Sequence, residues 1–180
     1  FFSPAVAETI TGHDSLPMVG RSEAREVSIL IVDLRSFTRT AAGLEPETVM
    51  KVLGIYQNAA VAQIENHGGQ IDKFMGDGIL ATFGAVEESK CHAADALRAA
   101  IGVVDAVQAV EPDIRAAGWK GVFRPGVAVA SGVVTVGVVG ARNRLEFTVI
   151  GTPVNLAAKL EAANKVEGTK ILTEARTYDL

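Results

Sequence analysis

The chain has 180 residues, 48% of them hydrophobic and 21% charged, which suits one globular domain with a sizeable core and excludes a disordered segment. Lys plus Arg total 17 against 21 for Asp plus Glu, a net charge of −4, and no basic block stands out, so a nucleic-acid backbone is not an expected partner. The single cysteine, Cys91, excludes an intramolecular disulfide and a cysteine-built zinc site, and a cytoplasmic setting is expected.

The opening Phe1-Phe2-Ser3-Pro4 carries no signal pattern and reads as a piece of a longer protein, whose upstream part can hold a sensor or a membrane anchor. Residues 4–10 suit a short helix. Gly12, His13, Asp14, Ser15, Pro17 and Gly20 give residues 1–25 the composition of a linker, so the domain is expected over 26–180. Val27-Ser28-Ile29-Leu30-Ile31-Val32 is a β-branched run of strand length, buried on both faces, that ends at Asp33. Helix-start signals follow at Ser36-Phe37-Thr38 and at Glu45-Pro46-Glu47. Val49, Val52, Leu53, Tyr56, Ala60 and Ile64 then recur at helical spacing up to the stop His67-Gly68-Gly69.

Residues 70–75 and 79–83 are two short strand patterns joined by Gly76-Asp77-Gly78, a hairpin signature. A second long helix is expected from near Ser89, with Ala93, Ala96, Leu97, Ala100, Ile101, Val104 and Val107 on its apolar face. Trp119 is expected to anchor the helix-to-strand connection that follows. The charge-free run Pro125 to Ala141 is short of a membrane span and reads as a buried β-hairpin, so no direct membrane contact is expected of this segment. Further patterns suggest a strand over 144–149, a helix over 153–164 and a strand over 170–173. The order predicts an α/β fold of the α+β sandwich type, with helices packed over a mostly antiparallel sheet.

Two aspartates fall where strand gives way to loop: Asp33 after the buried strand and Asp77 at the hairpin tip. Carboxylates on neighbouring strands can converge on Mg²⁺ or Mn²⁺, ions that prefer oxygen and share coordination with nucleotide phosphates. Taken singly, each has an ordinary structural role, Asp77 as a turn residue and Asp33 as a helix cap. Their surroundings add weight, because Asp33-Leu34-Arg35-Ser36-Phe37-Thr38 leads from a strand end into a helix start, where free N–H groups favour phosphate. His13, His67 and His92 fit no metal template, and surface or capping roles are expected for all three.

Three ordered runs, Ile29 to Thr38, Gly68 to Gly78 and Phe147-Thr148-Val149-Ile150-Gly151-Thr152-Pro153-Val154-Asn155-Leu156-Ala157-Ala158-Lys159-Leu160, together resemble the class III nucleotidyl cyclase catalytic domain of bacterial type. The resemblance covers residues 26–175 and implies a ferredoxin-like, palm-type sheet. It also implies two metal ions, Mg²⁺ or Mn²⁺, on Asp33, Asp77 and the backbone carbonyl of Leu34, with the triphosphate along the backbone of Arg35, Ser36, Phe37 and Thr38. Lys73 and Thr148 match the purine-contacting positions. Lysine donates to adenine N1, whereas a guanine site wants an acceptor, so ATP is favoured over GTP. Asn155 matches the residue that orients the ribose.

Lys159 departs from the pattern, which has Arg at this position to stabilise charge on the phosphate in the transition state. Asn155 and Lys159 share a helical face at i and i+4, but lysine lacks the bidentate fork, which leaves open a slower enzyme or a weakened nucleotide-binding and dimerisation module. The Val127 to Gly132 segment lacks a histidine that many relatives carry, to which no catalytic meaning is given. The chain also ends before a family strand that often supplies a phosphate-binding lysine. The implied assembly is an antiparallel homodimer with composite sites, Asp33 and Asp77 from one subunit facing Lys73, Thr148, Asn155 and Lys159 of the other. The implied activity is adenylate cyclase, converting ATP to 3′,5′-cyclic AMP and pyrophosphate.

Overall fold

The structure is a computed structural model that describes residues 22–141 and 144–180. The expected helix over 4–10, most of the expected linker and His13 lie outside the described residues. β1 (Ser22–Leu34), α1 (Phe37–Ala41), α2 (Pro46–Asn66), β2 (Gln70–Met75), β3 (Gly78–Phe83), α3 (His92–Ala109), α4 (Glu111–Ala116), β4 (Pro125–Ala141), β5 (Arg144–Ile150), α5 (Thr152–Glu167), β6 (Ile171–Thr173) and α6 (Ala175–Asp179) follow in chain order. The sheet order is β2-β3-β1-β4-β5. All neighbours on that path are antiparallel, and β6 pairs parallel with β4.

β1 is buried on both faces from Val27 to Val32, as its β-branched run requires. Leu30, Val32 and Leu34 enter one core with Val52, Tyr56, Ala60 and Ile64 of α2 and Ala96, Ala100, Val103 and Val107 of α3. Val27, Ile29 and Ile31 enter a second core on the other face, with Leu80, Val134, Val136, Val149 and Ala157. Each buried aliphatic side chain contributes roughly 1.5–3 kcal/mol, so this double burial holds the polar end of β1, where Asp33 sits, in a fixed frame. α2 stops at Gly68, whose φ of 77° is readily available only to glycine.

Three expectations are corrected. Pro125 to Ala141 is one strand of 17 residues rather than a hairpin. It pairs with β1 from Leu34↔Pro125 to Ser22↔Gly137. The glycines admit close neighbours instead of making a turn: a Cβ on Gly132 would lie 3.1 Å from Pro153 Cγ at the start of α5. Ile101, expected on the buried face of α3, is 56% exposed, and Ala99 and Val103 take its place. His92 is buried rather than at the surface. Its Nδ1 lies 2.8 Å from Ser28 Oγ, which is 2.6 Å from Ser131 Oγ, and Thr177 Oγ1 completes the buried chain at 2.9 Å. Trp119 does anchor the connection into β4, stacked on Phe37 at 5.1 Å and edge-on to Phe123 at 5.4 Å.

Candidate active site

Asp33 and Asp77 come from distant parts of the chain and meet at one end of the sheet. β1 delivers Asp33 opposite Gly126, and the β2–β3 turn, with Gly76 at φ 68°, delivers Asp77. The Leu34 amide donates to Asp77 Oδ2 at 3.3 Å. Burial, and then the Asp33 carboxylate beside it, push the Asp77 carboxyl above the usual carboxylate range, as expected of two like charges crowded together. The buried Tyr56 hydroxyl, without a hydrogen-bond partner, sits behind this pair, and its pKa is raised by burial and by both aspartates.

These donors fit a hard divalent cation. They are carboxylate oxygens whose repulsion a cation relieves, and no group of three or more His, Cys, Asp or Glu suited to a metal occurs among the described residues. Remaining coordination positions are therefore left to backbone carbonyl, water or substrate oxygens. The sequence patterns did not reveal the groups that flank the pair. Lys165 Nζ donates to Asp33 Oδ2 at 2.9 Å and stands 3.6 Å from Glu161 Oε2. Glu161, only 8% exposed, accepts from Arg35 Nη1 at 3.1 Å. Burial and the nearby Asp33 raise its carboxyl pKa, opposed by Lys165 and Arg35. The one sequence signal for this group is the i,i+4 spacing of Glu161 and Lys165 on α5.

The segment after Asp33 is tightly placed. Ser36 adopts a left-handed backbone, φ 59°, and its Oγ accepts from Arg39 Nη2 at 2.9 Å. The Phe37 ring is buried against Trp119, and Thr38 is exposed. α1 spans only five residues, so its dipole adds little, and its unbonded N–H groups are the feature that suits phosphate.

A second corner gathers Lys73 and Thr148. Sheet order places β2 and β5 at opposite edges, yet Lys73 Nζ lies 3.4 Å from Thr148 Oγ1 and 2.5 Å from Glu146 Oε1. The β4–β5 ribbon therefore bends across the sheet face, packing Phe147 against the core that holds Ile31 and Leu80. Lys73 is also 3.4 Å from the buried Asp72 carboxylate, whose pKa burial raises and Lys73 partly restores. The Lys73 ammonium, bonded to Glu146, is held above the usual lysine range. Asn155 and Lys159 both lie exposed on α5, one turn apart, and are not drawn into either corner.

Within one chain, then, the structure joins Asp33 to Asp77 and Lys73 to Thr148, and leaves Asn155 and Lys159 presented outward. No helix among the described residues is long and apolar enough to cross a membrane.

Curated proteins resemble the chain in sequence, and solved structures resemble it in fold. Adenylate cyclase 1 of Rhizobium meliloti is 35% identical over 154 residues, covering 85% of this chain and 23% of that protein. An uncharacterised protein of Mycobacterium tuberculosis is 35% identical over 157 residues, covering 87% of this chain and 27% of its own length. The chain thus spans about a quarter of these curated relatives. Among solved structures, the guanylyl cyclase Cya2 superposes with a TM-score of 0.81 at 35% identity, over 88% of this chain and 79% of that one. The adenylyl cyclase CyaB from P. aeruginosa also gives 0.81, at 28% identity, over 88% and 81%. The family described as adenylate and guanylate cyclase catalytic domain matches residues 19–180, and the chain belongs to it.

Proposed function

We propose that this domain is an adenylate cyclase, acting in cyclic-nucleotide signalling as an antiparallel homodimer with composite sites, as a cytoplasmic domain of its parent protein. The observation that carries the reading is the convergence of Asp33 and Asp77 beside a backbone segment suited to phosphate, with a separate donor corner at Lys73 and Thr148. In the reaction, the ribose 3′-hydroxyl loses its proton to solvent, its oxygen bonds to the α-phosphorus of ATP, the bond from that phosphorus to the α–β bridging oxygen breaks, and pyrophosphate leaves. Mg²⁺ or Mn²⁺, two ions held by Asp33, Asp77 and the Leu34 carbonyl, would lower the pKa of the 3′-hydroxyl and neutralise triphosphate charge.

The chain's own residues then supply position and fixed charge, the main resources of such reactions. Backbone N–H groups from Ser36 to Thr38 line the triphosphate. Across the dimer, Lys73 donates to adenine N1, and the Thr148 hydroxyl serves the exocyclic amine as acceptor. Asn155 orients the ribose, and Lys159 sets its ammonium against charge developing on the phosphate, without the fork an arginine would offer.

One observation favours a second reading. Glu146 stands beside Lys73, and a carboxylate is the acceptor that guanine N1–H and N2–H require, so GTP is the alternative substrate. Incubation with ATP and GTP in parallel, with Mn²⁺ and across protein concentration, tests both. The account expects cyclic AMP, with turnover per chain rising as dimers form. Preferential cyclic GMP establishes the second reading, and no cyclic nucleotide at any concentration refutes both.

A further inference from the structure

Lys165 belongs to none of the motif runs, yet its ammonium occupies one oxygen of the carboxylate expected to hold metal, 2.9 Å from Asp33 Oδ2. The groups around it are fixed. Glu161 is tied to Arg35, and Arg35 lies over Gly126 so closely that a Cβ there would be 2.3 Å from Nη2. The Lys165 side chain is 48% exposed, against 18% for Arg35 and 10% for Glu161, so it is the member of this group free to leave. It also lines a cavity of about 700 Å³, together with Arg35, Ser36, Arg124 and Lys170, which gives the displaced ammonium room to move.

We infer that Lys165 is a resident counter-ion for Asp33 which a divalent cation must displace, so that this lysine sets the metal affinity of the Asp33–Asp77 corner. The inference rests on the reading of that corner as a metal site. Two physical costs follow for an incoming ion. The ammonium fills lone-pair directions the ion needs, and while in place it repels a doubly charged ion a few ångströms away. In return, the lysine keeps the Asp33 carboxylate, crowded against Asp77, from standing uncompensated when no metal is bound. Because the pair is partly exposed, its release is inexpensive and sensitive to salt.

The test is Mn²⁺ binding to the whole chain without nucleotide, followed by the electron paramagnetic resonance of free Mn²⁺. Lys165→Gln and Lys165→Met, the latter keeping the aliphatic stem, are expected to bind roughly threefold to tenfold tighter than wild type, with Lys165→Arg near wild type. The gain should shrink as monovalent salt rises and vanish when Asp33→Asn is added. If both neutral variants bind no tighter while Asp33→Asn still weakens wild-type binding, the counter-ion role is overturned and the metal corner stands. If Asp33→Asn changes binding in neither background, the metal reading falls and the inference with it.

Discussion

Gly126→Ala is a substitution whose cost should be felt through a single neighbour. The new Cβ would lie 2.3 Å from Arg35 Nη2, 2.5 Å from Cζ and 3.0 Å from Nε, where ordinary contact begins at 3.4 Å, so the guanidinium must retreat by about 1 Å. The Nη1 bond to Glu161 is already 3.1 Å long, and such a shift breaks it, leaving a carboxylate only 10% exposed with Lys165 at 3.6 Å. Loss of a charge-assisted bond costs about 1.5–3 kcal/mol, and alanine in place of strand glycine returns about 0.5–1, for a net destabilisation of about 1–2 kcal/mol. Urea unfolding of wild type, Gly126→Ala, Arg35→Ala and the double variant closes a cycle. With Arg35 removed, Gly126→Ala should be neutral or slightly stabilising. An equal cost in both backgrounds would refute the claim that Arg35 fills the space above Gly126.

Three further outcomes follow from other sites. Tyr56→Phe removes a buried hydroxyl that lacks a partner and should stabilise the fold by up to about 1 kcal/mol, a rise of roughly 2–4 °C in Tm; a clear loss would show that the hydroxyl is bonded. Burial lowers the His92 pKa, Arg176 lowers it further, and Glu26 and Asp95 oppose. The unfolded chain therefore binds the extra proton first, so stability should fall as pH drops through the ordinary histidine value of about 6.5 and level off once the folded protein is also protonated. His92→Gln should flatten that part of the denaturation–pH profile, and an unchanged slope contradicts the assignment. Lys159→Ala should lower kcat by about 10²–10³ with little change in KM, and Lys159→Arg should raise it. No loss with alanine and a large gain with arginine would identify a weakened module.

What was legible in the sequence is what local pattern records. The run Val27 to Val32 gave a strand buried on both faces, the spacing from Val49 to Ile64 gave α2, and Gly76-Asp77-Gly78 gave the hairpin that carries Asp77. Lys73 and Thr148 were paired through their motifs, and the structure places them in contact. The missed features all depend on neighbours distant in sequence. Nothing in Pro125 to Ala141 announces that β1 is long enough to pair along most of it as a single strand. His92 looked like a surface residue because Ser28, its partner, is 64 residues away. Arg35 and Glu161 are 126 apart, and Lys165 and Asp33 are 132 apart, so their network exists only after β1 and α5 have packed.

The central claim is that Asp33 and Asp77 act as one metal-dependent catalytic pair. The most direct measurement compares cyclic-nucleotide formation from nucleoside triphosphate and Mn²⁺ by wild type, Asp33→Ala and Asp77→Ala, each checked for wild-type folding. The account predicts product from wild type and a loss of at least about 10³-fold in each variant. Wild-type turnover in either variant would contradict it.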